Sequence, residues 1–167
     1  AISVQSPQAI VQAAIQHLCS VLRCARVSAG IFDREKREVW TTAILANGET
    51  FEQTGPLQAD DGSGDLEVVE DISRVTPLSA AALILQAAGM HSCVNVPLLS
   101  ARGLYGSLNI GWENPRTITR EDTEIAEEAA DQVTLAIEQS ELLQEAKHFA
   151  ADLKQRVAER TAQLEAA

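Results

Sequence analysis

From Thr119 to Ala167 the chain contains neither glycine nor proline. An uninterrupted helix of that length would run roughly 70 Å at 1.5 Å per residue, more than one globular domain needs. Thr119-x-x-Asp122, just after Pro115, has the form of a capping box and marks its start. In its first half, Ile125, Ala129, Val133, Ala136, Ile137 and Leu143 make a stripe able to pack on a sheet. In its second half Leu142, Ala146, Phe149, Leu153, Val157, Arg160 and Leu164 recur at spacings of 4, 3, 4, 4, 3 and 4. This eleven-residue repeat predicts a nearly straight or slightly right-handed coil. A lone helix has nothing to bury that stripe against. The expected partner is the same helix of a second chain, in parallel. The chain therefore divides into a domain over 1–141 and a coiled-coil extension over 142–167, continuous with its last helix.

Ahead of that helix the periodicity is mixed. Ser6-Pro7 opens a helix carrying Ile10, Ala14, Leu18 and Val21, which ends near Leu22. Ala25–Asp33 and Arg37–Leu45 read as a hairpin closed by the polar turn Asp33-Arg34-Glu35-Lys36, and Asn47-Gly48 ends the second strand. Glu49–Asp65 is polar and Gly-rich, which predicts a long loop of the kind that covers binding sites. Leu66–Val69 is a short strand, Ser79–Ala88 a small apolar helix capped by Gly89. His91–Leu99 and Leu104–Trp112 are two further strands.

Alternation sorts the faces of the last two strands. Val94, Val96 and Leu98 share one face with Leu104, Leu108 and Ile110, and Gly106 there allows a helix to approach. The opposite face takes His91, Cys93 and Asn95 with Tyr105, Ser107 and Asn109. So many polar groups on one sheet face call for water or a ligand. With the long loop and small helix beside them, they predict a small-molecule pocket. Ser28, Phe32, Trp40 and Thr42 are placed in its wall, and Asp71 is counted among the pocket residues.

Apolar residues make up 46% and charged residues 22% of the 167, an ordinary globular composition. The net charge of −11 argues against a nucleic-acid partner and against contact with anionic lipid. Cys19, Cys24 and Cys93 are an odd set, which fits a reducing, cytoplasmic setting rather than a disulfide framework. No run is apolar enough for a membrane span. Residue 1 is Ala, so the chain reads as a piece of a longer protein. His91 and Cys93, two apart on a strand, are half of a metal site or a Cys–His pair. Neither further ligands nor an orienting third group is visible. P-loop, nucleophile-elbow and dinucleotide motifs are absent, so the chain is expected not to be an enzyme.

Ala88-Gly89-Met90-His91-Ser92-Cys93-Val94-Asn95-Val96-Pro97-Leu98-Leu99, followed by Gly103-Leu104-Tyr105-Gly106-Ser107-Leu108-Asn109-Ile110, resembles the centre of a GAF domain. Val68-Val69-Glu70-Asp71-Ile72 is similar to the family's strand before the small helix. Ile118-Thr119-Arg120-Glu121-Asp122 through Ala136-Ile137-Glu138 is similar to its entry into the last helix. The resemblance spans roughly residues 5–145. Beyond it, the run from Leu153 to Glu165 resembles linkers that join such sensors to histidine kinase modules.

The resemblance implies an α+β fold, a central antiparallel sheet with terminal helices on one face and a ligand pocket on the other. It implies a sensory or regulatory domain that binds a small molecule and signals through a dimeric C-terminal helix, in a parent protein of sensor-histidine-kinase type. The cofactor is left unknown. The cyclic-nucleotide motif of some relatives is only fragmentary here: Pro115 follows Asn114, Ile118 stands in place of Phe, and Thr123 follows Asp122. Pro77, Leu78 and Ser79 occupy the stretch where bilin-attaching relatives carry their cysteine. The alternatives are a ligand-free dimerisation scaffold, a bilin-, haem- or metal-binding sensor, and a small redox or metal enzyme centred on His91 and Cys93.

Overall fold

The computed structural model describes residues 6–58 and 64–166. Helix α1 (Pro7–Leu22) starts where Ser6 Oγ accepts from the Ala9 amide and ends at Arg23, which adopts a left-handed φ of 49°. Strands β1 (Arg26–Asp33), β2 (Glu38–Leu45) and β3 (Thr50–Pro56) follow as a meander, then β4 (Glu67–Val69) and a single 3-10 turn, Ile72–Arg74. Helix α2 (Ala80–Ala87), strands β5 (Ser92–Ser100) and β6 (Gly103–Trp112), and helix α3 (Arg120–Glu165) complete the order. The six strands form one antiparallel sheet, in the order β3-β2-β1-β6-β5-β4.

The terminal helices lie on one face. Val11, Ile15, Leu18 and Leu22 of α1 and Ala126, Ala130, Val133 and Ile137 of α3 join Val27, Ala29, Val94, Val96, Leu98, Leu108 and Ile110 in one core. Each large aliphatic side chain there contributes about 1.5–3 kcal/mol by leaving water. Trp112 locks α1 to β6, its indole N–H donating to the Leu22 carbonyl at 3.3 Å, one of the carbonyls a helix end leaves open. The predicted capping box of α3 is present, with Thr119 and Asp122 each serving the other's backbone amide.

Three expectations are corrected. The stretch read as a long loop contains β3, which pairs with β2 from Thr50 to Pro56. The tight turn at Asn47-Gly48 returns the chain onto β2, so polar residues alternate on an edge strand with a solvated side. The rest of the expected loop includes residues 59–63, which lie outside the described residues. Second, Trp40 lies opposite Ile31 and Thr42 opposite Ala29, so both sit on the helix-covered face, away from Ser28. Facing residues in a ladder share a side, and the turn length sets which residues face each other. Third, the β5–β6 register shifts between Leu98 and Leu99, where Leu98 meets Gly106 and Leu99 meets Leu104. Tyr105 is the extra residue of a bulge. The bulge turns it to the helix side, where its hydroxyl donates to Glu138 of α3 at 3.2 Å.

Candidate functional site

The sheet face away from α1 and α3 has an apolar end and a polar strip. At the apolar end Val69, Ile72, Ala82, Leu85, Met90 and Cys93 form a second small core beneath α2. Gly111 makes room for it, since a Cβ there would come within 2.6 Å of Met90 Cγ. Cys93 is fully buried in this core, and burial, with the Glu67 charge as a lesser cause, pushes its thiol up to about 12. It is not an open pocket wall.

The polar strip runs across four strands. Ser28 of β1 faces Asn109 of β6, Asn109 faces Asn95 of β5, and Asn95 faces Glu67 of β4. Ser28 and Asn95 are each 6% exposed. Asn95 Nδ2 donates to Glu67 Oε1 at 2.6 Å, and the same oxygen accepts from Ser79 Oγ at 2.6 Å, at the N-cap of α2. Asn109 Nδ2 donates to Ser107 Oγ at 3.2 Å. The amide nitrogens are thus engaged, while Asn95 Oδ1 and Asn109 Oδ1 are buried with no hydrogen-bond partner in the protein. An unmet buried acceptor costs about 1–3 kcal/mol. Arg26, two residues before Ser28, lays its guanidinium over the Phe51 ring at 4.8 Å, and its Nε is a third buried atom without a partner. Desolvation lowers the pKa of that guanidinium.

Of the residues assigned to the pocket from sequence, Ser28, Cys93, Asn95, Ser107 and Asn109 do share this face. The other assignments come apart. His91 precedes β5 and is exposed, its backbone bridging Trp112 and Ile72. Asp71 caps the 3-10 turn. The hydroxyl and amide of Ser73 both donate to it, and with Arg74 nearby these bonds hold its carboxyl below the usual carboxylate range. Phe32 and Trp40 line a separate open cleft of about 930 Å³, together with Ile31, Tyr105, Ile137 and Glu141, where α3 leaves the sheet. Glu67 and Arg26 were missed from sequence. Alternation within β4 and β1 places them on the polar face, but their partners lie on other strands.

The model of the GAF domain family matches residues 6–137. The chain belongs to the GAF domain family. No curated protein sequence matches it. Solved structures share the fold. One is the blue-light-absorbing form of the PixJ GAF domain from Thermosynechococcus elongatus, with a TM-score of 0.66, 20% identity, and cover of 85% of this chain and 90% of that one. Another is the phycocyanobilin-bound GAF domain of a cyanobacterial phytochrome, with a TM-score of 0.67, 18% identity, and cover of 83% and 87%. A third is a domain of a protein described as a two-component sensor histidine kinase, from Sinorhizobium meliloti 1021. It has a TM-score of 0.60, 13% identity, and cover of 84% and 97%.

In this GAF domain α3 is also fastened where it leaves the sheet. Ser100 and Tyr105, on either side of the β5–β6 turn, both hydrogen-bond Glu138 Oε1. From Glu141 to Ala166 every residue of α3 and its cap is exposed, and Leu142, Phe149, Leu153, Val157 and Leu164 are between 50% and 78% exposed. Among the described residues no helix is long and apolar enough to cross a membrane, and no group of three His, Cys, Asp or Glu residues is placed to hold a metal ion.

Proposed function

We propose that this GAF domain is a cytoplasmic, non-catalytic sensory module. It binds a small molecule on the polar strip of the sheet and passes the signal along α3, as a parallel homodimer, to an output module of histidine kinase type. The observation that carries the reading is the pair of buried, unpartnered amide oxygens on Asn95 and Asn109. A ligand that satisfies them bridges the paired strands β5 and β6. The same two strands end at the Ser100 and Tyr105 hydroxyls on Glu138, so a shift in the hairpin reaches α3 where it leaves the domain. The exposed seam at Leu142, Ala146, Phe149, Leu153, Val157, Arg160 and Leu164 then repacks against its mate, which an eleven-residue repeat allows at modest cost.

Native mass spectrometry of the gently purified chain tests both halves. The expected result is a dimer with retained small-molecule mass. A dimer without added mass, together with no thermal shift from any metabolite extract, would leave only a dimerisation scaffold.

A second reading takes its support from the bilin-bound phytochrome GAF domain that shares the fold. A bilin would have to be held without a thioether bond to Cys93, given that thiol's burial and its pKa of about 12. Visible absorbance after mixing with phycocyanobilin checks it: an unshifted spectrum rejects bilin binding.

A further inference from the structure

We propose that Cys19 and Cys24 form a reversible dithiol site, at which a peroxide closes a disulfide between the last turn of α1 and the chain entering β1. The placement follows from the way α1 ends. Arg23 takes a left-handed φ of 49°, which turns the chain back over the helix. A helix end of this kind commonly sets the residue after the left-handed position against the residue in the last turn, as an apolar contact. In this chain both places hold cysteine, Cys24 and Cys19. Each thiol reaches the other residue's backbone. Cys19 Sγ donates to the Cys24 carbonyl at 3.7 Å, and Cys24 Sγ to the Cys19 carbonyl at 4.0 Å. The side chains also act on each other. Burial is the main cause that pushes the Cys24 thiol up to about 12, and the Cys19 charge and a side-chain hydrogen bond with Cys19 add to it.

Other roles fit worse. A metal ion needs at least a third protein ligand, and among the described residues no group of three His, Cys, Asp or Glu residues is placed to hold one. Cys93 is the contrast. It lies in the small core beneath α2, which has no second cysteine, whereas Cys19 and Cys24 share the main core. Both members of the pair are free thiols, Cys19 8% exposed and Cys24 3% exposed. So little access suits a small oxidant such as hydrogen peroxide. A short-lived disulfide of this type also fits a chain kept in a reducing setting.

Cys19, the more exposed of the two, attacks as its thiolate. Its Sγ–O bond forms as the peroxide O–O bond breaks, and hydroxide leaves. Cys24 Sγ then attacks that sulfenic sulfur. The S–S bond forms, the S–O bond breaks, and the Cys24 proton leaves with the departing oxygen as water. The two thiols give up two electrons and the peroxide is reduced to water. A dithiol reductant reverses the step by exchange. Oxidation removes both S–H donors and fastens α1 to the sheet beside Leu22, whose carbonyl already accepts from the Trp112 indole.

The test treats the whole folded chain with hydrogen peroxide, blocks the remaining thiols with iodoacetamide in urea, and digests with trypsin. Cleavage after Arg23 and Arg26 puts Cys19 in peptide 1–23 and Cys24 in peptide 24–26. The expected product is these two peptides joined, two hydrogens lighter than their sum, and released again by dithiothreitol. Cys24→Ala is expected to leave Cys19 as a sulfenic acid that dimedone traps, and no adduct would overturn Cys19 as the attacking thiol. The proposal is overturned by a link from either residue to Cys93 or to a second chain. It is also overturned by a Cys19 sulfinic or sulfonic acid without the link, or by three unreacted thiols after a treatment that oxidises the same chain in urea.

Discussion

Gly106 of β6 pairs with Ile31 of β1. Its φ is +151°, and a Cβ there would sit 1.8 Å from the Gly30 carbonyl oxygen. Backbone cannot retreat as a flexible side chain can, so Gly106→Ala is expected to cost about 3 kcal/mol or more and to leave little folded protein. Gly89 is the contrast. Its φ is +87° with open space around the missing Cβ, so Gly89→Ala is expected to cost only about 1–2 kcal/mol. Urea unfolding of the two variants checks the ranking, and equal losses would refute it. The thiols make a second prediction at this scale. Burial is the main cause that raises Cys24 and Cys93 from an ordinary 9.0 to about 12. The unfolded chain therefore loses these protons first, and the folded state holds more protons between pH 9 and 12. Stability is fully present below about pH 9 and falls as pH rises toward 12. A Cys24→Ala, Cys93→Ala double variant should show a flatter Tm-versus-pH curve over that window. An unchanged slope would mean that other groups control it.

Among the elements, α3 depends on its two fastenings to the domain. At its start Thr119 and Asp122 satisfy each other's backbone amides, and Asp122 also pairs with Arg116 at 3.1 Å. Thr119→Ala should cost about 1 kcal/mol, measured as a lower urea midpoint with unchanged m. At its exit the carboxylate of Glu138 accepts from Ser100 and Tyr105. Glu138→Ala leaves two half-buried hydroxyls without that acceptor and should destabilise by about 1–3 kcal/mol. Faster amide exchange in the 100–105 turn would accompany it. Exchange that stays at the parent rate would show that the turn does not depend on the helix. The start of α3 was legible because a capping box is a local pattern in neighbouring residues. The Glu138 fastening was not, because Tyr105 reaches it only through the β6 bulge.

For the whole molecule, the domain over residues 6–140 has its own core, and the rest of α3 adds an exposed seam without contributing to that core. An isolated helix with that much apolar exposure gains little from solvent, which is the physical argument for a second copy. Replacing Phe149 and Leu153 together by Asp should convert the proposed dimer to a monomer in sedimentation equilibrium. The main thermal transition of the sheet domain should move by no more than a few degrees. A dimer that survives this double substitution would place the contact elsewhere, on the outer faces of α1 and α3 or on the cleft beside Trp40.

Sequence by itself determined the three helices and five of the six strands, in their order. Ser6-Pro7, Ser79 with Gly89, and Thr119 with Asp122 are short-range signals, and helical or alternating periodicity needs no knowledge of the fold. It also placed Ser28, Asn95, Ser107 and Asn109 on one face, because parity within a strand is local. Only the tertiary structure decided which strands lie side by side, and that choice moved Trp40 and Thr42 to the helix side and made β3 an edge strand. It alone joined Glu67 to Asn95 and left two amide oxygens without partners. The physical reason is register. A side chain's face follows from its own strand, but its hydrogen-bond partner follows from turn lengths and bulges that set strands far apart in the chain against one another.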